Sequence, residues 1–342
     1  MRAVVVSKLG GPEVLQAQDV DAPRPAAGEL LIRVQGTSVN FADIMMRRGG
    51  YHSARPLPFI PGMDALGVVE AWGEGVVGWT RGQRVIAYPS GSYAEYATVE
   101  ATLAVLVPES VDATQAQAAG LVGATAYELV TRAARLKPGE TVLVHAAAGG
   151  VGTALVQMAR HLGAGRVIAA VGHAEKAGLP RDLGADAVIT GDWATWAEQM
   201  GDVTSGGGVD AIFNPLGGDA VAADLSVLND FGRLVVYGQA VGAAGVADTS
   251  ALYARNQRVV GYSFGHIRRT RPQWVRPVAA AMLEWLRAGV FRLPVSARFP
   301  LEQAGAAQAL VESGMSVGKV LIDVNQVGSA SYGEEDPVDG TA

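Results

Sequence analysis

The stretch TVLVHAAAGGVG, residues 141–152, decides the fold of this 342-residue chain. Its opening residues are apolar and β-branched, as in a short buried parallel strand. Ala147, Gly149 and Gly152 follow at the spacing of the G-x-G-x-x-G dinucleotide fingerprint, with alanine in the first place. A helix that begins near Gly150 and continues through Val151 would direct its free N–H groups at a pyrophosphate. The stretch therefore predicts a dinucleotide-binding turn.

The sequence on both sides of this turn supplies the context that the fingerprint needs. Gly149 lets the backbone approach a pyrophosphate closely, and Gly152 lets the helix pack tightly on the strand. A helix over 151–162 and a second strand over 166–171 follow, which is the order that the motif requires. The alternative is a glycine-rich turn that binds no ligand.

Strands and helices alternate from about residue 141 to 262, which predicts a parallel, doubly wound sheet. Residues 1 to about 120 are β-rich with few helix-length connections, which favours antiparallel pairing. After about 265 two helices and two strands remain, and we expect them to return to the first domain. The predicted bounds are 1–122, 123–265 and 266–325, followed by a tail, 326–342, whose low apolar content predicts disorder.

Composition narrows the class of protein. The net charge of −6 argues against a nucleic-acid partner, which usually needs a basic face. No apolar run reaches the roughly 18 residues of a membrane span, and the N-terminus lacks the apolar core of a secretory signal. We therefore expect a cytoplasmic enzyme that acts on a small molecule.

Several segments together resemble the zinc-independent branch of the medium-chain dehydrogenase/reductase superfamily, the quinone oxidoreductases related to zeta-crystallin. The matching blocks are 39–43 with Arg47 and 49–51, 58–62, 67–70, 82–85, 91–95, 123–126, 146–152 and 318–320. The resemblance implies an α/β architecture, with a GroES-like β-rich catalytic domain, an inserted Rossmann domain and a nucleotide cleft between them. It also implies a homodimer that pairs through the edge at residues 261–264.

The metal site of the zinc alcohol dehydrogenases is missing from this sequence. Their G-H-E block reads Gly62-Met63-Asp64 here, and methionine is a poor Zn²⁺ ligand. The chain contains no cysteine that could replace the lost ligands. We therefore expect no metal, and hydride acceptors that need no Lewis acid, such as quinones or conjugated enones.

The residues after the second strand bear on the choice of nucleotide. NAD-specific sites place an acid at the tip of this strand, but Gly172 follows Val171 here. By resemblance, Lys176 meets the 2′-phosphate of NADPH, which favours NADPH, although Glu175 would suit NADH. The other cofactor-binding residues implied by the resemblance and the fold are Asn40, Thr125, Ala147, Gly149, Gly150, Val151, Gly152, Asn214, Tyr237, Gly238 and Lys319.

By resemblance, Tyr51 is the side chain that donates a hydrogen bond to the oxygen on which negative charge develops. Asn40 would hold the nicotinamide or the substrate carbonyl with a neutral amide. Asp43 would orient this loop, with Arg47 as its partner. The alternatives are that Asp43 only caps a turn and that Tyr51 is a lid residue without a role in proton transfer.

These features predict an NADPH-dependent, metal-free reductase that transfers hydride to a quinone or another conjugated carbonyl compound. A 2-enoyl thioester or 2-alkenal reductase on the same scaffold is the nearest alternative. A non-catalytic NADPH-binding protein is the alternative from another class.

Overall fold

A computed structural model describes residues 1–52 and 55–324, apart from the side chains of residues 193, 194 and 197. The strands are β1 (Arg2–Val6), β2 (Leu15–Asp19), β3 (Glu29–Ser38), β4 (Ala65–Trp72), β5 (Arg84–Ala87), β6 (Tyr96–Glu100), β7 (Ala104–Leu106), β8 (Thr141–Val144), β9 (Arg166–Val171), β10 (Ala187–Thr190), β11 (Val209–Asn214), β12 (Leu228–Val236), β13 (Arg258–Gly261), β14 (Val295–Pro300) and β15 (Lys319–Asp323). The α-helices are α1 (Phe41–Arg48), α2 (Ala113–Glu128), α3 (Gly150–His161), α4 (Gly178–Asp182), α5 (Trp193–Thr204), α6 (Ala220–Val227), α7 (Thr249–Arg255), α8 (Phe264–Thr270), α9 (Val275–Arg287) and α10 (Ala304–Glu312).

Strands β8 to β13 form one parallel sheet in the order β10-β9-β8-β11-β12-β13. The strand order reverses between β8 and β11, which pair in parallel, so the crevice outside their carboxyl ends is the expected ligand position. The parallel, doubly wound sheet predicted from the sequence is confirmed. The predicted dinucleotide-binding turn before α3, residues 146–149, which we call the phosphate turn, therefore lies at the topological switch point of the sheet.

The second large sheet follows the path β14-β15-β3-β4-β5-β7, with β6 also paired to β3. The contacts of β3 and β4 are antiparallel, as predicted for the β-rich region. Strand β15 from the end of the described chain pairs with β3 over residues 36–38. The last strands thus lie in the sheet of the first residues, while the domain bounds 1–122, 123–265 and 266–325 stay a prediction.

Helix α2 connects the two sheets without the predicted interruption. Asp112 accepts a hydrogen bond from the Gln115 N–H at 2.9 Å and caps the helix, as the sequence indicates. The two glycines at 120 and 123 predict a break in this helix from the sequence, and this prediction is wrong, since the helix runs through both positions. A Cβ atom at Gly120 would lie 2.9 Å from Asp64 Oδ2, so the absent side chain allows close packing rather than a break.

Short elements escaped prediction. The structure adds strands β2 and β7 and helices α1, α7 and α8. The sequence predicts one helix over 175–183, where the structure has a 3₁₀ turn (Ala174–Lys176) followed by α4. Such elements are too short to develop a clear hydrophobic period. Among the described residues, no helix is both long and apolar enough to span a membrane. The predicted disordered tail, 326–342, lies outside the described residues.

Candidate active site

The phosphate turn joins β8 to α3 and begins with Ala146 at a φ of 49°. Gly152 packs against the start of this turn, because a Cβ there would lie 2.3 Å from the Ala146 oxygen and 2.6 Å from Ala147 Cα. Ala147 itself is fully buried, and its N–H donates to the Ala170 oxygen of β9 at 3.1 Å. The predicted role of Gly152 in helix–strand packing therefore has a direct steric cause.

The start of α3 has the features of an anion site. Gly149 is the N-cap residue and contributes no side-chain hydrogen bond to the helix. Within the described ranges, the backbone N–H groups of Gly150, Val151 and Gly152 have no hydrogen-bond acceptor in the protein. Unpaired N–H groups at the positive end of a 12-residue helix fit a phosphate group.

A backbone bridge connects the phosphate turn to the sheet of the first residues. Gly149 and Gly318 form an isolated parallel bridge, and the Gly318 N–H donates to the Ala148 oxygen at 2.7 Å. Gly318 has a φ of 62°, and a Cβ there would lie 2.1 Å from the Pro294 oxygen, so only glycine fits. The bridge places Lys319 immediately beside the start of α3.

Lys319 connects the phosphate turn to the Asn40 loop. Its side chain is 2% exposed, and its ammonium group donates to the Val39 oxygen at 2.8 Å and to Asn40 Oδ1 at 2.9 Å. A Cβ at Gly150 would lie 2.7 Å from Lys319 Cδ, so the lysine stem passes the first residue of α3. Burial lowers the pKa of Lys319, and the nearby Asp64 and Asp43 carboxylates raise it. The sequence-predicted Asn40, Gly150 and Lys319 thus meet in one place.

Two buried carboxylates complete this cluster. Asp64 accepts hydrogen bonds from the Ser38 hydroxyl at 2.9 Å, from Asn40 Nδ2 at 3.2 Å and from the Leu121 N–H at 2.9 Å. Asp43 accepts from the Asn40 N–H at 3.0 Å and from the Gly62 N–H at 3.2 Å. The Asn40 amide is therefore occupied by protein groups on both its oxygen and its nitrogen. A contact between Asn40 and a nicotinamide stays a prediction, and it would require one of these bonds to open.

The environment of Asp43 favours its neutral form. Burial, and next the charge of Asp64, raise the pKa of Asp43 to about 7, against the lowering effects of the Asn40 N–H, Lys319 and the Gly62 N–H. An acid whose pKa rises on folding binds more protons in the folded state than in the unfolded state. Its contribution to stability is therefore complete below its ordinary pKa of 3.8 and is lost as the pH rises toward about 7.

We expect Asp43→Asn to remove this pH dependence. Between about pH 5 and about pH 8, the free energy of unfolding of the variant should gain about 2 kcal/mol relative to the original chain. Urea unfolding at several pH values measures the difference, and Asp21→Asn, at an exposed carboxyl group, serves as the control. Parallel curves for the variant and the original chain would contradict the raised pKa.

The predicted partnership of Arg47 with Asp43 is wrong. Arg47 is fully buried in α1, and its Nη2 donates to both carboxylate oxygens of Glu312, at 2.9 and 2.7 Å. Arg48 contacts the same carboxylate. Glu312 ends α10, 265 residues further along the chain, so no local pattern could reveal it. The arginine fixes α1 against α10. The Asp43 carboxyl group instead accepts hydrogen bonds from the N–H groups of Asn40, at the start of α1, and of Gly62.

Tyr51 lies apart from this cluster, against the start of α8. A Cβ at Gly265 would lie 2.6 Å from the Tyr51 hydroxyl and 3.5 Å from Met63 Cε. Burial is the main cause that raises the pKa of Tyr51, with the positive charge of Arg268 acting in the opposite direction. The phenol therefore stays protonated at neutral pH and can donate a hydrogen bond.

Asn214, Tyr237 and Gly238, three more predicted residues, lie at the carboxyl edge of the parallel sheet. Asn214 ends β11, and its backbone oxygen accepts from the Tyr237 N–H at 3.0 Å. Gly238 packs against the turn that follows β11, since a Cβ at position 238 would lie 2.6 Å from the Pro215 backbone oxygen. Thr125 lies in α2 and is 9% exposed. Asn214, Tyr237 and Gly238 form one group on the β11–β12 side of the switch point.

The Lys176 side chain contacts the loop between α10 and β15. Its ammonium donates to the Ser316 oxygen at 2.9 Å and also contacts the Gly314 oxygen. Partial burial lowers its pKa. Among the described residues, the contacts of this ammonium group are with neutral carbonyl groups, so it can bind an anion if these contacts open or are shared. Ser316, which accepts from Lys176, is two residues before Gly318 of the backbone bridge.

Sequence reasoning missed several residues that shape this site. Asp64 lies in the 62–64 block without a role predicted from the sequence, and the position of His145 at the end of the predicted strand favours only a structural role. Asp224 and Ser38 carry no motif, whereas Arg268 lies in the basic run 266–271, which the sequence predicts as a solvated loop or helix start, with contact to an anionic ligand as the alternative. Among the described residues, no group of three or more histidine, cysteine, aspartate or glutamate side chains could hold a metal ion.

Comparison with known proteins identifies the family. Residues 26–109 match the family model of the alcohol dehydrogenase GroES-like domain, and residues 150–281 match that of the zinc-binding dehydrogenases. A probable quinone oxidoreductase of Schizosaccharomyces pombe is 35% identical over 94% of this chain and 97% of its own length. The chain belongs to the quinone oxidoreductase family of medium-chain dehydrogenases/reductases.

Two further relatives of this family bear on its chemistry. A 2-haloacrylate reductase of a Burkholderia species is 33% identical over 94% of this chain and 98% of its own length. A mycobacterial protein solved in complex with NADPH superposes with a TM-score of 0.88 at 37% identity, over 95% of this chain and all of the other. The family, the GroES-like domain and the Rossmann-type sheet predicted from the sequence are therefore confirmed.

Proposed function

We propose that this protein is an NADPH-dependent reductase that transfers hydride to a quinone or another conjugated carbonyl compound. The observation that carries the proposal is the start of α3, where three backbone N–H groups lack acceptors in the described chain beside a glycine N-cap at the switch point of the sheet. These groups fit the pyrophosphate of a dinucleotide. The quinone oxidoreductase relatives and the NADPH complex of the mycobacterial relative support the same assignment.

When bound, NADPH would supply the hydride, and the residues of this chain would bind, orient and shield it. Gly149, Gly150, Val151 and Gly152 would hold the pyrophosphate. Tyr237 and Gly238 would lie on the β12 side of the crevice. Lys319 would keep the Asn40 loop fixed to the start of α3, so that the two sheets stay in contact beside the cofactor.

Tyr51 would stabilise the substrate oxygen that becomes negative, because its protonated hydroxyl can donate to that oxygen. We expect Tyr51→Phe to lower kcat/KM for an enone by about 10- to 100-fold, while kcat/KM for 1,4-benzoquinone changes by less than about threefold. Quinones are easily reduced and need little acid assistance. Steady-state assays with both acceptors test this, with the exposed Tyr253→Phe as the control. Equal losses for both acceptors would contradict a role in proton donation.

Lys176 would bind the 2′-phosphate of the cofactor. We expect Lys176→Ala to weaken NADPH binding by about tenfold, because a charge-assisted contact is lost, and to leave NADH binding unchanged. Fluorescence titration with both nucleotides measures this, and Lys137→Ala, at an exposed position, is the control. An equal loss for the two nucleotides would show that Lys176 does not read the 2′-phosphate.

We also propose that the reaction uses no metal and that the protein is a homodimer. Met63 occupies the position of a zinc ligand, and the chain has no cysteine. Strand β13 is the edge of the parallel sheet and pairs only with β12 within the described chain. Pairing of β13 with its copy would cover this edge.

A second candidate, reduction of the C=C bond of a conjugated acid or thioester, is favoured by the charges near Tyr51. Arg268 Nη1 donates only to backbone oxygens in the described chain, those of Met63, Tyr88 and Pro89 at 3.0, 3.2 and 2.9 Å. Burial lowers the pKa of Arg268, and Arg55 nearby acts in the same direction. A cation that forms no salt bridge within the described chain and lies near Tyr51 suits an acceptor that carries negative charge, and one relative is a reductase of 2-haloacrylate.

One panel of acceptors separates these functions. NADPH consumption is compared for 1,4-benzoquinone, crotonyl-CoA and 2-chloroacrylate under identical conditions. The proposed function predicts the highest kcat/KM for the quinone. Preference for the thioester or the acid would replace the first candidate with the second. Tight NADPH binding without turnover of any acceptor would instead indicate a non-catalytic binding protein.

A further inference from the structure

A buried carboxylate connects the two turns that flank the switch point of the parallel sheet. His145 follows β8 and precedes the phosphate turn, whereas Asn214 ends β11 and precedes the turn at 215–218. Strands β8 and β11 are hydrogen-bonded neighbours. Asp224 of α6 reaches both side chains from below this edge, and all three residues are at most 1% exposed. We call His145, Asp224 and Asn214 the Asp224 network.

The hydrogen bonds of this network fix the orientation of each member. Asp224 Oδ1 lies 2.6 Å from His145 Nε2, and Asp224 Oδ2 accepts from Asn214 Nδ2 at 2.6 Å. Two backbone N–H donors face the other side of the Asn214 amide, so its amino group must point toward Asp224. The Asn214 oxygen then faces the turn, where it accepts from the N–H groups of Leu216 at 2.7 Å and Gly217 at 3.0 Å.

The surroundings of His145 decide its tautomer. The ring stacks on Trp196 with centroids 4.1 Å apart, and its Nδ1 is buried without a hydrogen-bond partner in the described structure. A proton on Nδ1 would be a buried unsatisfied donor, which is costly. The proton therefore resides on Nε2 and is donated to Asp224. Asp224 thus accepts from both sides at once, which a carboxylate can do and an amide cannot.

The turn that this network holds continues to the β12 side of the crevice. The backbone oxygen of Asn214 accepts from the Tyr237 N–H, and the Ala240 N–H donates to the backbone oxygen of Pro215 at 3.0 Å. On the other side, the His145 N–H donates to the Phe213 oxygen at 3.1 Å. A shift of Asn214 would therefore move both the 215–218 turn and the Tyr237–Gly238 segment relative to the phosphate turn.

We propose that Asp224, acting through His145 and Asn214, is a positioning residue for the cofactor, which sets the spacing of the phosphate turn and the 215–218 turn. The proposal rests on the proposed function, since it assumes that a dinucleotide occupies this edge. It adds a buried residue of α6 that carries no motif and that would act on the cofactor through His145 and Asn214.

The test compares two single variants with their exchange. Asp224→Asn leaves either His145 or Asn214 without an acceptor, so we expect the Kd for NADPH to rise by about 10- to 100-fold. Asn214→Asp places two carboxylates in contact, which can stay close only by sharing a proton. Its NADPH binding should therefore be weak at about pH 8 and recover toward about pH 5.5, unlike that of the original chain.

The exchange variant Asn214→Asp with Asp224→Asn restores every hydrogen bond. The carboxylate at 214 then accepts from the N–H groups of Leu216 and Gly217 and from the amino group of the new amide at 224. The oxygen of that amide accepts from the His145 ring N–H. We expect NADPH affinity within about threefold of the original chain, without the pH dependence of the single variant. A general loss of packing would give no such rescue and no pH profile.

The control is Asp219→Asn. Asp219 is exposed and directly precedes α6, and its side chain makes no capping hydrogen bond to that helix. Unchanged Kd values in both single variants, or an exchange variant no better than the singles, would overturn the proposal. Failure of the underlying assumption, that a dinucleotide binds at this edge, is distinguishable, because the original chain would then not bind NADPH; the NADPH consumption of the original chain tests catalysis separately. If Asp224→Asn does not fold, Asn214→Asp and the exchange variant still decide the question.

Discussion

Gly149→Val is expected to abolish tight NADPH binding while leaving the chain folded. The valine would stand in front of the unpaired N–H groups of Gly150, Val151 and Gly152, where a pyrophosphate must approach. The loss of several charge-assisted hydrogen bonds predicts a rise in Kd of at least about 100-fold. Equilibrium titration of NADPH fluorescence measures the change.

The fold should survive because the space behind Gly149 is adequate. A Cβ there meets only the Ala146 oxygen, at 3.2 Å, and the residue has extended backbone angles. Gly201→Val is the matched control, since a Cβ at that exposed helical position has no neighbour within 4 Å. NADPH affinity that is unchanged in Gly149→Val, with the control equally unchanged, would contradict the assignment of the phosphate turn.

Lys319→Met is expected to have the largest effect on stability. The substitution keeps the buried stem but leaves the Val39 oxygen and Asn40 Oδ1 without their donor. It also removes the positive charge that acts on Asp43. Loss of one partner from a buried, hydrogen-bonded charge cluster costs about 3–5 kcal/mol, which corresponds to a fall in Tm of roughly 5–10 °C. Thermal unfolding followed by circular dichroism measures it.

Lys137→Met controls for the loss of a lysine at an exposed position. The variant should also lose activity at temperatures where it remains folded, because the Asn40 loop loses its attachment beside the start of α3. A Tm that matches the control would mean that Lys319 does not hold the two sheets together at this edge.

The features that the sequence predicts well are local ones. The strand, turn and helix of residues 141–162 follow from a short apolar run and three small residues, and the structure reproduces them closely. Asp112 caps α2 through a contact only three residues away. In each case the physical cause lies within one turn of the chain.

The features that the sequence could not supply are contacts between distant residues. Lys319 and Asn40 are 279 positions apart, as their hydrogen bond shows. The partner of Arg47 is Glu312 rather than the nearby Asp43, because α10 packs on α1 in the folded chain. Gly120 predicts a helix break from the sequence, but its real role is to leave room for Asp64, a residue 56 positions earlier in the chain. Side-chain partners of this kind depend on how the elements pack, which periodicity and spacing do not encode.

Reduction of 1,4-benzoquinone by NADPH, followed before and after exhaustive treatment with a strong chelator, tests the central proposal most directly. We expect one equivalent of NADPH consumed per quinone reduced, at the same kcat/KM in both preparations. Activity that disappears on chelation and returns with added zinc, or a protein that oxidises no NADPH with any conjugated acceptor, would contradict a metal-free hydride-transfer site.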